Sequence, residues 1–419
     1  MPAFLTHWCV LIETARRSQD AGNDLGSLII DTAALRRRTN GSVDPPQTPP
    51  AGAVWDTGPL PQIDFSFPGS DISAMAYLGA LAPDITYYQW NHFRDKLTDR
   101  RLQRRHSPLS SVGNQVQWAD LLHYNRSGDM LITFLEHVAQ IPSPAVRSQG
   151  LAFAMGYLSH IATDIALNPY INTLAADYHR SDIPATFILR SLGMEFSLHF
   201  YIELCLDEHV ASTYFNHSLY GWTNLPWRQY IEPTASYLAT PKTLSAQVLD
   251  LLATAAEVTY NLTEEQRESF QRAYLTGVRG LRRHLAGGGI FRLLTLRAQT
   301  RKRRADEMLA RIVADQHEPG TISFEDTIEY AIRLSEHLCR RGISYYASLR
   351  NTTASAQERN QRRVALRDDL RNWNLDTGYA MDVTFDQEVT LHLLHNWVHF
   401  AELWENEARA VAPGYNLTR

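Results

Sequence analysis

Apolar residues recur at helical spacing along most of the chain, and the strict alternation that marks half-buried strands is scarce. The pattern predicts helices over 5–17, about 25–38, from 72 to a break at Ala82-Pro83-Asp84, then 118–140, 144–166, 184–213, 243–258, 263–285, 290–315, 323–350, 354–372 and 386–411. An all-α fold follows. Between Ser42 and Pro68 proline and glycine accumulate, which predicts an extended loop. Glu232-Pro233-Thr234 and Thr240-Pro241-Lys242 punctuate the chain again and divide it into residues 1–235 and a helical extension over 236–419.

Ionisable residues interrupt the apolar pattern at two places. His160 and Asp164 sit four apart within Gly156-Tyr157-Leu158-Ser159-His160-Ile161-Ala162-Thr163-Asp164-Ile165-Ala166-Leu167, and His199 and Glu203 repeat that spacing within Met194–Leu204. Residues four apart share a helix face, with Cβ atoms about 5–6 Å from each other. Glu195 and Asp207 extend the second face, and helical drift leaves Asp207 the least aligned. An unpaired carboxylate in apolar surroundings costs several kcal/mol. A bound cation removes that cost, and imidazole nitrogen and carboxylate oxygen are zinc ligands at about 2.0–2.2 Å. The alternative is that each histidine and carboxylate simply satisfy one another. The run from Leu151 to Ile171 is almost long enough to span a bilayer. An aspartate near its middle costs about 2.5–3.5 kcal/mol on insertion scales, so a buried core helix fits better.

Composition narrows the chemistry. With 419 residues, 44% hydrophobic and 20% charged, the chain can build a sizeable core. Its net charge of −5 gives no reason to expect a stable nucleic-acid complex. Cys9, Cys205 and Cys339 form no CxxC, so a metal would be held by imidazole and carboxylate. The opening Met1–Trp8 carries neither a basic start nor a long apolar run, which predicts a cytoplasmic protein.

Five segments in order carry a family resemblance: Phe4-Leu5-Thr6-His7, Leu78-Gly79-Ala80-Leu81-Ala82-Pro83-Asp84, Leu122-His123-Tyr124-Asn125-Arg126-Ser127-Gly128-Asp129, Ala152–Asp164, and His199–Glu203. Together they resemble the bacterial zinc-dependent phospholipase C family, whose wider superfamily includes the S1/P1-type nucleases. The resemblance covers about residues 1–210. It implies a multi-helix phospholipase C/P1 nuclease-like bundle with one to three zinc ions in a cleft. It also implies a phosphodiester substrate, phospholipid or nucleotide, attacked by a metal-activated water. By the same resemblance His7, Asp84, His160, Asp164, His199 and Glu203 match ligand positions, and Asp84 bridges zinc ions or acts as the base. The histidine after the Pro-Asp motif could be His92, His106 or His123, with His123 favoured by its local motif. Asn168-Pro169-Tyr170 stands where family members often place a further histidine. The leading expectation is a zinc-dependent phosphodiester hydrolase of phospholipase C type. The alternatives are a nuclease or nucleotidase of the same fold, or a non-catalytic, metal-stabilised member acting as an interaction protein.

Two further features have competing readings. Gly287-Gly288-Gly289 followed by Ile290–Leu296 and Arg301-Lys302-Arg303-Arg304 could make a peripheral membrane contact, or a helix on the body with a solvated arginine face. The aromatics Trp8, Tyr87, Tyr88, Trp90, Tyr124, Tyr157, Tyr170 and Tyr201 could line a head-group pocket or fill the core.

Overall fold

One helix organises the rest. The computed structural model describes residues 4–20, 69–88, 118–180, 202–203, 206–207, 209–210, 244–285, 324–375 and 379–380. In chain order these form α1 (Phe4–Asp20), α2 (Gly69–Gly79), a 3-10 helix (Asp84–Tyr88), α3 (Trp118–Tyr124), α4 (Ser127–Gln140), α5 (Pro144–Arg180), α6 (Leu244–Tyr260), α7 (Glu264–Leu285), α8 (Phe324–Arg350) and α9 (Ala356–Leu370). A two-residue ladder, β1 (Trp373–Asn374) against β2 (Tyr379–Ala380), is the one sheet among the described residues. Residues 202–203, 206–207 and 209–210 are helical. The fold is all-α, as the spacing predicts.

Every residue from Leu151 to Asn168 in α5 is buried. A helix that is apolar all round must be enclosed on all sides. Accordingly α8 packs along it most extensively, α2 next, and α1, α4 and α6 cover the remainder. Among the described residues only Pro144–Asn168 is long and apolar enough to cross a membrane, and its apolar window lies entirely inside the protein. The helix runs on past Pro169 to Arg180, beyond the expected end near 166. Proline offers no N–H to the turn before it, and the surrounding packing outweighs that loss.

Local signals set several other helix ends. Thr263 and Gln266 cap the start of α7 reciprocally, through Thr263 N–H to Gln266 Oε1 (2.9 Å) and Gln266 N–H to Thr263 Oγ1 (3.3 Å). Ser355 caps α9 by accepting from Glu358 N–H at 3.0 Å. The continuous helix expected over 118–140 is instead two, because Arg126 adopts a left-handed conformation with φ 52°. Its guanidinium bonds back to Asp129 at 3.1 Å and to the Thr259 carbonyl of α6, which offsets the strain.

Residues on both sides of the expected boundary share one hydrophobic cluster, from Leu11 and Met155 to Leu338 and Leu370. At its edge Arg17 of α1 forms a two-pronged ion pair with Glu329 of α8, at 2.8 and 2.5 Å. The boundary at 235–242 itself lies outside the described residues, as do the helices expected near 25–38, 290–315 and 386–411 and the glycine-arginine stretch 287–304.

Candidate metal centre

Glycines bring the site's backbones together. A Cβ on Gly156 of α5 would collide with the Ala76 carbonyl, and one on Gly79 of α2 with the Phe153 carbonyl. The two helices therefore touch main chain to main chain. That approach lets His160 Nδ1 reach the Ala80 carbonyl at 2.9 Å. Beyond Ala80 the chain turns through Pro83 into the 3-10 helix, whose first residue is Asp84. On the other flank Gly277 and Gly280 of α7 leave no room for a Cβ against the Ile85 and Tyr88 carbonyls. Asp84 is thus pressed between α5 and α7.

His7, Asp84, His123, His160 and Asp164 converge from α1, the 3-10 helix, α3 and α5, none more than 4% exposed. His160 Nε2 lies 2.9 Å from Asp164 Oδ2, and His123 Nε2 lies 3.1 Å from Asp84 Oδ1. His7 Nε2 is 3.4 Å from Asp164 Oδ1 and 3.9 Å from Asp84 Oδ2. His123 Nε2 to Asp164 Oδ2 is 3.7 Å, as is His160 Nδ1 to Asp84 Oδ2. The His7 and His160 rings stack with centroids 4.2 Å apart.

These groups satisfy one another only in part. His7 Nδ1, His160 Nε2 and Asp84 Oδ2 are buried and make no hydrogen bond of acceptable geometry, although His160 Nε2 stands within ion-pair distance of Asp164. Buried polar atoms are nearly always bonded, so orphans clustered in one place point to a missing partner. Backbone acceptors also aim the rings. His160 Nδ1 faces the Ala80 carbonyl and His123 Nδ1 faces the Ala119 carbonyl at 2.7 Å. Both Nδ1 atoms are therefore assigned as donors, leaving each Nε2 lone pair for the site, in the manner of metal-ligating histidines.

Burial and the neighbouring groups shift the pKa values of the cluster in opposing directions. Burial drives the His7 pKa well below its usual value, and the neighbouring His160 adds to that. Its imidazole is neutral and available as a ligand. Burial resists ionisation of Asp84, but His160, His123 and His7 together hold its pKa below the usual value. Burial raises Asp164 to about 6, with the Asp84 charge contributing, against the pull of His160. Burial opposes charge on His160, yet Asp164 and Asp84 hold its pKa up. A divalent cation would favour both ionised carboxylates and neutral rings at once. Two triads have ligand atoms within 4.8 Å of one another, His7–His160–Asp164 and Asp84–His123–His160. With Nδ1 committed to Ala80, His160 can serve one ion, so two ions would have to divide the ligands around it.

Glu203 is buried and lines a small cavity with His7, Asp164, Asn168 and Thr163 beside the cluster. Its expected companion His199 lies outside the described residues, as do Glu195, His92 and His106. Asn168 donates from Nδ2 to the Leu375 carbonyl at 2.6 Å, while Tyr170 turns its ring to Phe324, centroids 6.0 Å apart. Of the aromatics named above, Trp8, Tyr87, Tyr88 and Tyr157 are core residues, and Trp90, Tyr124 and Tyr201 lie outside the described side chains.

Asp207 is different. It accepts from Leu5 N–H (3.3 Å), Thr6 N–H (2.9 Å) and Thr6 Oγ1 (2.8 Å), closing the first turn of α1. Its partners are the free amides of a helix N-terminus, and they hold His7 one residue away in register. Sequence reading missed this cap and the glycine contacts. The Gly277/Gly280 spacing on α7 is the one visible signal for the latter.

No curated protein and no solved structure matches the chain. Residues 59–241 match the family model described as zinc dependent phospholipase C. That span contains Asp84, His123, His160, Asp164 and Glu203, and over it the chain is similar to the zinc-dependent phospholipase C family.

Proposed function

We propose that this protein is a zinc-dependent phosphodiester hydrolase acting on a phospholipid-type substrate. The observation that carries the reading is the buried cluster of five histidine and aspartate side chains with orphaned ligand atoms. The residues fit zinc: Nε2 of His123 and His160 and the carboxylates of Asp84 and Asp164 supply nitrogen and oxygen donors, with His7 beside them. Zinc held there would supply Lewis-acid polarisation of a phosphoryl oxygen and a more acidic water.

The chain's own groups do the rest. Asp84 lies 3.1 Å from His123 and 3.7 Å from His160, and these neighbours hold its pKa below the usual value although burial opposes that. Ionised, it would serve as a ligand to zinc held there or accept a proton from attacking water. The Ala80 and Ala119 carbonyls fix the two rings, so no reorganisation is needed as charge develops. Glu203 and Asn168 line the small adjoining cavity together with His7 and Asp164.

The test is hydrolysis by purified full-length protein loaded with zinc. Phosphatidylcholine in mixed micelles should release phosphocholine, and Asp84→Asn should abolish the release. Cleavage of single-stranded oligonucleotide or nucleotide with no lipid turnover would move the substrate to nucleic acid. Zinc-loaded protein that cleaves neither, with zinc affecting only its melting temperature, would leave a non-catalytic, metal-stabilised protein.

A further inference from the structure

The end of α3 and the segment after α9 are joined by an unusual set of bonds. His123 sits in the last turn of a seven-residue helix, where backbone carbonyls have no helical partner. Its carbonyl accepts from Leu375 N–H at 2.9 Å. The Leu375 carbonyl in turn accepts from Asn168 Nδ2 of α5 at 2.6 Å. One residue, Leu375, thus bridges two elements of the cluster through its N–H and its carbonyl.

The same segment is held at several further points. Ser127 Oγ donates to the Trp373 carbonyl at 2.6 Å. Asn372 Oδ1 accepts from Asp129 N–H at 2.8 Å, and its Nδ2 donates to Asp129 Oδ2 at 3.1 Å. A Cβ on Gly128 would press on Leu370 and Asn372, so the segment lies directly on the start of α4. Arg371 and Asn372 turn the chain into this path through successive left-handed conformations, φ 45° and 49°. Such strain persists only where surroundings impose it. On its outer side the segment is paired in the β1–β2 ladder, Trp373 with Ala380 and Asn374 with Tyr379. All of residues 371–375 lie beyond the family-matched span.

We infer that residues 371–375 are a latch that positions His123 for metal, and that Asn168 is a positioning residue on that latch, not a ligand. The inference rests on the reading of His123 as a ligand. Without the latch the His123 carbonyl, in the residue that carries the imidazole, would lose its Leu375 partner. A short helix has little else to fix its azimuth, and small displacements of a ligand weaken metal binding. The carboxamide of Asn168 is spent on Leu375, which explains why a residue with a poor zinc donor stands at the wall of the cavity.

The test compares zinc affinity, by chelator competition, in full-length wild type, Asn168→Ala and Ser127→Ala. Asn168→Ala should bind zinc roughly 10-fold more weakly at unchanged stoichiometry, in the range seen when groups supporting a ligand are removed. Ser127→Ala, which lies away from the cavity, should weaken zinc in the same direction by several-fold. The d–d spectrum of the cobalt-substituted variants should shift with it. Unchanged affinity in both variants, with only a lower metal-free melting temperature, would overturn the latch and leave the metal reading standing. Loss of one zinc per chain in Asn168→Ala alone would make Asn168 a ligand and also overturn it. Wild type that binds no zinc would instead overturn the metal reading, and the latch's role with it. If Asn168→Ala does not fold, Ser127→Ala decides the question.

Discussion

Asp164 and Asp207 are both buried carboxylates in helices, both with pKa raised by burial, to about 6 and about 7. Their surroundings are opposite. Asp207 faces three donors of the α1 N-terminus and completes a helix. Asp164 faces histidine nitrogens and lies near a second carboxylate, and those neighbours leave orphaned atoms among them. One residue type at helical spacing therefore does two jobs. What decides is whether the protein itself supplies the hydrogens the carboxylate needs. Where it does, the group is a cap; where it does not, a cation is the remaining partner.

The sharpest way to break the comparison is to remove one member of each site. His160→Ala should release zinc and lower phosphodiester turnover at least about a thousandfold, since several kcal/mol of transition-state stabilisation depend on the metal. Asp207→Ala should keep its zinc but lose about 2–4 kcal/mol of stability, from a lost helix cap and stranded buried donors. Metal analysis and urea unfolding on both variants check this. If Asp207→Ala lost the metal and His160→Ala kept it, the two assignments would have to be exchanged.

A smaller effect comes from pH. In the metal-free protein Asp207 has a folded pKa of about 7, above the value of roughly 3.9 in an unfolded chain. The unfolded state therefore gives up its proton first as pH rises. The contribution of Asp207 to stability is full below about pH 4 and is lost as pH climbs to 7, on the order of a few kcal/mol. Asp164 shifts the same way and Asp84 the other way, so the total slope mixes them. Urea midpoints of Asp207→Asn against wild type isolate the one group. The variant should flatten the slope between pH 4 and 7, and parallel curves would show that Asp207 is ionised in the fold.

Much of this arrangement was legible in the residues. The His160/Asp164 spacing inside an apolar run marks α5 as a core helix that carries ionisable groups, and the structure buries both residues there. Ordered motifs pick out His7, Asp84 and His123, and the structure brings all three to that pair. The role of Asp207 was not legible, because its spacing from Glu203 equals that of a ligand pair. The latch was hidden for another reason. His123 and Leu375 meet through main-chain atoms, which every residue possesses. The break at Arg126 was hidden likewise, since only the partners on Asp129 and Thr259 make its conformation tolerable.

The smallest expected effect tests how finely the two carboxylates are distinguished. Thr6 donates through both its amide and its hydroxyl to the same oxygen of Asp207. Thr6→Val removes the hydroxyl while keeping volume and branching, so the amide bonds of Leu5 and Thr6 remain. The cost should be about 1 kcal/mol, the net worth of one hydrogen bond, with zinc stoichiometry unchanged. The hydroxyl also opposes the rise in the Asp207 pKa, so its loss should push that pKa higher still. Stability would then keep falling with pH to a higher endpoint than in wild type. Thr6 also lines the cavity beside His7, so zinc affinity read in the same variant separates cap from metal centre. Lost zinc without the pH shift would place the Thr6 hydroxyl with the cluster instead of the cap.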